Sequence, residues 1–214
     1  MNIIYIAIAL ITILLILWLS WGFYTSHDLE TPSYTVLETV GEYEIRKYDS
    51  YLVAQVEVEG EWQEAINQGF RILAGYIFGG NQSQQSIKMT APVTEVESVQ
   101  IAMTAPVTET EVEGRRIISF VVPTEFSLDT LPIPNDSRIE FVEIEEKTMF
   151  ASSFTWYATT DRVAKKKIEI LEAAEANNLT PLSPPTFASY NDPFTFPLMQ
   201  RHEILLEISS DGTF

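Results

Sequence analysis

Cysteine is absent from the 214 residues. That excludes disulfides, thiolate metal sites and a cysteine nucleophile, and it leaves the redox compartment open. Histidine is scarce, with two residues, His27 and His202. His202-Glu203 resembles the start of a zinc-binding His-Glu-x-x-His helix, but Leu206 stands at the second histidine position. Basic residues are also few. Thirteen Lys and Arg face thirty Asp and Glu, a formal charge of −17. A surface of that sign repels phosphate backbones, so nucleic acid is not an expected partner. Hydrolase elbow, phosphate-binding loop and dinucleotide fingerprint are all missing. Gly79-Gly80 reads as a helix stop rather than a phosphate cradle. Lys165, Lys166 and Lys167 read as a solvated helix face, and acid pairs such as Glu145-Glu146 do not single out a general acid or base. These absences favour a binding or interaction module over an enzyme.

What is present begins with an uncharged run from Ile3 to Phe23, "IIYIAIALITILLILWLSWGF". About 20 such residues cross a hydrocarbon core as a helix. Trp18, Trp21, Phe23 and Tyr24 cluster at its end, where amphipathic rings favour a membrane interface. A cleaved signal peptide would want a basic residue before the run and small residues after it, whereas Asn2 precedes it and bulky "WLSWGFYTSH" follows. The expectation is an uncleaved anchor over 1–24, a polar tether over 25–33 and a soluble domain over 34–210. No Lys or Arg precedes Arg46, so the positive-inside rule has little to count. The amino terminus on one side, with Asp28 and Glu30 on the other, lean towards an extracytoplasmic domain.

Hydrophobic residues make up 46% of the chain, enough for a substantial core. "YTVLETV", "EYEIRKY" and "YLVAQVEVEG" carry strand pattern. From Trp62 to Ile77 the apolar spacing changes to steps of three and four, a helix stripe through Trp62, Ala65, Ile66, Gly69, Phe70, Leu73 and Ile77. "RRIISFVVP", "RIEFVEIEE" and "KTMFASSFTWYA" read as further strands. "TTDRVAKKKIEILEAAEANN" reads as a helix capped by Thr160 or Asp161, with a stripe of Ala164, Ile168, Leu171 and Ala174. "TFASYND" and "HEILLEIS" close the chain. Two strand–strand–helix–strand–strand units follow one another. The fold class expected is α+β: two quasi-repeated halves forming a distorted antiparallel sheet or barrel, flanked by two helices, after an N-terminal transmembrane helix.

One phrase occurs twice. Met89, Thr90, Ala91, Pro92 and Val93 recur as Met103, Thr104, Ala105, Pro106 and Val107. The offset is even, so in two extended segments equivalent residues share a face. Pro92 and Pro106 lack the N–H that a central ladder needs and mark edges or bends. No histidine lies near either copy, so the phrase reads as structural rather than catalytic.

"YEIRKY", then "AINQGFRILAGYIFGGN", then the doubled MTAPV and the ending "ASYNDPFTFPLMQRHEILLEI" together resemble the SOUL/haem-binding protein family over about residues 34–208. The resemblance implies two quasi-repeated halves, and haem or tetrapyrrole binding without catalysis. It places Lys47 where some members carry a histidine proposed as an iron ligand, and His202 where members more often carry asparagine. No metal ligand is therefore assigned, with His202 only a weak candidate; its own position reads as a strand edge near the surface. A groove for a flat apolar ligand is expected from Phe70, Leu73, Tyr76 and Ile77, with Arg46 and Lys47 meeting propionates. The family is also similar to effector-binding domains of bacterial regulators. The alternative function is therefore a sensor or interaction module for another apolar or cationic ligand.

Overall fold

The computed structural model describes residues 2–26, 29–83 and 98–209. The first copy of the repeated phrase, Met89–Val93, lies outside them. Helix α1 (Asn2–Ser26) stands at the N-terminus, and its apolar stretch Ile3–Gly22 is exposed except towards its end, where Leu19 is half-buried and Gly22 buried.

The remainder is built on a nine-stranded antiparallel sheet curled into a half-barrel. In chain order the strands are β1 (Tyr34–Val40), β2 (Tyr43–Tyr48), β3 (Tyr51–Val58), β5 (Val107–Val112), β6 (Arg115–Val121), β8 (Ile139–Ile144), β9 (Lys147–Phe154), β10 (Thr186–Ser189) and β11 (His202–Glu207). Two short strands, β4 (Asn81–Gln82) and β7 (Ile133–Pro134), pair apart from the main sheet. Helices α2 (Trp62–Ile77) and α3 (Thr160–Ala176) follow β3 and β9.

The spatial order β1-β2-β9-β11-β10-β5-β6-β3-β8 explains the two units seen in the sequence. Leave β1 aside, and let unit one be β2, β3, α2, β5, β6 and unit two β8, β9, α3, β10, β11. The order is then the same read from either end. Each unit lends its first strand to the other: β2 pairs with β9, and β8 pairs with β3. The units meet at β5 and β10.

Strand alternation gives the sheet two faces. On the helix face, α2 covers Val56, Ile118 and Phe120, while α3 covers Ile45, Phe150, Ile204 and Leu206. Helix α2 sits close because residue 69 is glycine; a Cβ there would collide with the Ile118 side chain. The β5–β6 turn needs two positive φ angles, 51° at Glu113 and 79° at Gly114, the geometry that two-residue hairpins favour.

Three local expectations are corrected. The α3 stripe is Val163, Ile170 and Ala174, with Ile168 and Leu171 exposed, because α3 lies rotated about its axis relative to the expected stripe. Its cap is Thr159, whose hydroxyl accepts from the Arg162 N–H. The second repeated phrase is not a strand as far as Val107. Residues 101–103 are irregular, Thr104 forms one isolated bridge to Glu30, and Pro106 is buried without an N–H to offer a ladder. The stretch acts as a packing bracket. The Thr104 hydroxyl donates to the Val121 carbonyl, and the Ala105 N–H donates to the Glu30 carbonyl at 2.9 Å. Residues 29–33 thus lie against the domain rather than apart from it.

Candidate functional site

The concave face is the candidate site. Its floor gathers side chains from every strand of the main sheet but β1, among them Tyr48 of β2, Tyr51 of β3, Met149 of β9 and Leu205 of β11, with Tyr190 beyond β10. They enclose a hollow of about 210 Å³. A second hollow of about 540 Å³ adjoins it and shares Pro32, Tyr51 and Val121. The smaller one alone is below the roughly 300–1,000 Å³ of small-molecule pockets, and the larger lies within that range. Burial pushes the Tyr51 hydroxyl up to about 12, so it stays a neutral donor.

Charge is distributed unevenly. Glu30, Asp49, Asp129 and Glu143 border the larger hollow, and Glu207 borders the smaller. Lys147 is the cation of the smaller lining, 3.5 Å from Glu207.

Deeper on the same face lies Glu203, fully buried. Its carboxylate accepts from Arg46 at 2.9 and 3.2 Å, from Arg201 at 2.7 and 3.1 Å, from Tyr190 Oη at 2.7 Å and from Ser153 Oγ at 3.0 Å. Burial by itself would raise this carboxyl, but the hydrogen bonds and charge of Arg46, then Arg201, outweigh it and hold it below the ordinary range. The same burial, with Glu203 beside it, raises Tyr190 far above a normal phenol. Arg46 also bonds Glu44 at 2.7 Å and lies 4.6 Å over the Tyr34 ring.

His202 is adjacent in sequence but belongs to the other face. Its ring lies 5.6 Å from Phe187 and 5.4 Å from Phe154, and among the described residues neither ring nitrogen makes a hydrogen bond of good geometry, the Trp156 backbone offering a weak contact. Burial, then the charge of Arg162, lowers it from 6.5 to about 4, so the imidazole is neutral at pH 7. The expected exposed strand edge is instead a 5% exposed core position, because β11 lies between β9 and β10. No cluster of three or more His, Cys, Asp and Glu suited to a metal ion occurs among the described residues.

The protein-family model described as SOUL heme-binding protein matches residues 29–207. This chain belongs to the SOUL heme-binding protein family. Among its relatives, Heme-binding protein 2 of Mus musculus is 35% identical over 136 residues, 61% of this chain and 62% of the relative. Heme-binding protein 2 of Homo sapiens is 33% identical over 139 residues, 63% of this chain and 64% of the relative. The matched stretch thus spans less than two thirds of either relative's length. The fold is similar to that of the EcmrR C-terminal domain, with a TM-score of 0.56 at 12% identity, covering 82% of this chain and 98% of that one.

Within this SOUL domain the six groove residues expected from the sequence do not line one hollow. Leu73, Tyr76 and Ile77 are buried in the core under α2, where the Tyr76 hydroxyl donates to the Pro132 carbonyl at 2.9 Å. Phe70 is 38% exposed and meets Phe120 edge-on. Arg46 is committed to Glu203, and Lys47 pairs with Glu146 on the surface at 2.8 Å. The concave-face residues Tyr48, Tyr51, Met149, Tyr190 and Leu205 escaped sequence reading because they come from separate strands. The aromatic pair in "RKYDSYL" was the available signal.

Proposed function

We propose that this chain is a single-pass, membrane-anchored, non-enzymatic haem- or tetrapyrrole-binding protein that holds its ligand on the concave face of the sheet. Family membership carries the ligand class. Over 1–24 the anchor is supported by an apolar helix of spanning length that the protein leaves almost wholly exposed, with residues 25–33 linking it to the domain over 34–210. An extracytoplasmic domain is the orientation proposed, supported by the amino terminus on one side of the apolar run and Asp28 and Glu30 on the other. The non-enzymatic reading rests on relatives named as binding proteins and on a groove lining without histidine.

The groove suits the flat apolar face of a porphyrin better than it suits the iron. Tyr48, Tyr51, Leu205 and Met149 supply apolar surface, and Lys147 supplies a cation for a propionate. The Met149 thioether is the soft donor there, and His202 faces away behind the strand. When bound, haem would supply its own redox and ligand chemistry, while these residues hold and shield the ring. Phe70, with Lys47, Arg46 and the α2 residues Leu73, Tyr76 and Ile77, stands as an alternative seat. Titrating haem into the full chain in detergent tests the reading. A saturable Soret shift at micromolar protein, weakened by Leu205→Glu and unchanged by Phe70→Ala, is expected. No saturable shift overturns haem binding, and the reverse pattern of variants moves the site to α2.

The carboxylates around the hollows favour a second reading, an apolar cation as ligand. Stabilisation of the full chain by lipophilic cations, but not by haem, in a thermal-shift measurement would select it.

A further inference from the structure

Helix α1 does not simply lead away from the domain. Its last turns run beside the loop before β11. The Trp18 Nε1–H donates to the Phe194 carbonyl at 2.7 Å, and the Trp18 ring meets Phe196 edge-on at 5.0 Å. Gly22 is buried against that loop; a Cβ there would stand 3.3 Å from Thr195 Cγ2. Trp18 precedes Gly22, the end of the apolar stretch, by four residues, about 6 Å along a helix. Phe194 therefore lies level with the last turn of the apolar stretch, not beyond it.

Around this level the domain exposes large apolar side chains. Phe194 is 75% exposed, Leu198 61%, Tyr157 48% and Trp156 47%. Tyr157 and Phe194 bound one hollow with Leu17, Trp18 and Trp21 of α1. Trp156 is joined to the same loop, its N–H donating to the Pro197 carbonyl at 2.9 Å. It holds φ at 76°, a left-handed conformation that costs a residue with a side chain about 1–3 kcal/mol. Rings with an apolar body and a polar tip, beside the end of a span, match the composition of the membrane interface.

We propose that Trp156, Tyr157, Phe194 and Leu198 form a lipid-docking face that beds in the headgroup–acyl boundary of the bilayer crossed by α1, fixing the domain against the membrane. The occupant is the lipid interface, because the patch is continuous with the apolar helix. Interfacial burial of about 5–10 Å would cover these side chains. This rests on the reading of α1 as a span.

The chain has no native cysteine, so single-cysteine variants of the full chain can be labelled directly. Phe194→Cys, Leu198→Cys and, within α1, Leu14→Cys would each carry an environment-sensitive fluorophore. Each would be reconstituted in phosphatidylcholine vesicles with and without lipids bearing a nitroxide on the acyl chain. All three positions are exposed, so the substitutions leave the core intact. The expected result is loss of most fluorescence at all three. Quenching at Leu14→Cys alone overturns the docking face while the anchor stands. Quenching at none overturns both, and a label at 194 shielded from water but not quenched by lipid points to a protein partner and overturns the proposal.

Discussion

Among the described residues two carboxylates lie beneath the surface, one on each face of the sheet, and they are held in different ways. Glu203, on the concave face, shares its burial with Arg46, whose side chain is 4% exposed. Glu109, on the helix face, is 1% exposed, but its cations Arg116 and Lys167 are 16% and 18% exposed. The first ties β2, lent by unit one, to β9 and β11 of unit two, with the buried Arg46 at its centre and Arg201 reaching it from the surface. The second joins elements of both units: Trp62 of α2 at 3.2 Å, Lys167 of α3 at 2.8 Å and Arg116 of β6. Long basic side chains can reach a buried anion from the surface and swing back to water when it is gone. A buried guanidinium has no such retreat. The comparison teaches that an equal depth of carboxylate burial does not mean an equal dependence on it.

Glu203→Gln should be the most damaging change, because it removes the buried anion that Arg46 meets with two nitrogens and leaves that buried guanidinium only the half-exposed Glu44 as a carboxylate partner. A loss of about 3–5 kcal/mol in denaturant unfolding is expected, and a loss equal to that of the Glu109 variant would break the comparison. Glu109→Gln should cost less, about 2 kcal/mol, since its cations regain water. Gly69→Ala should cost about 1–3 kcal/mol by forcing α2 off Ile118, partly offset by better helix propensity. Its effect should add to that of the Glu203 variant on the opposite face, and non-additivity there would show that the sheet faces communicate.

Replacing His202 with Phe should have the smallest effect at pH 7, since the ring is neutral, forms no hydrogen bond of good geometry among the described residues and is packed among aromatics. Its consequence is in acid. The folded protein holds His202 near 4, against 6.5 ordinarily, so the unfolded chain takes up the proton first. The histidine's contribution is full above about 6.5 and is lost as pH falls towards about 4. Stability of His202→Phe measured against pH should be flatter across that window. Glu203 acts in the same direction at lower pH, because its folded value is depressed below the ordinary carboxylate range. A variant curve parallel to that of the parent between pH 7 and 4 would remove His202 from this account.

The expected α+β class, the two units and the helix at Trp62–Ile77 were legible in the sequence because each rests on local periodicity. The run from Ile3 to Phe23 was legible as a long apolar helix by length and lack of charge. Lys165–Lys167 shows where local reading stops. Lys165 and Lys166 pair with Glu169 at the surface, as a solvated face would, but Lys167 reaches down to Glu109, 58 residues away in the chain. The exchange of first strands, the side of the sheet taken by His202 and Glu203, and the assembly of Tyr48, Tyr51, Met149, Tyr190 and Leu205 into one groove were decided by tertiary structure. Alternation says that neighbours face opposite ways. Only the pairing of distant strands and the curl of the sheet say which way is in.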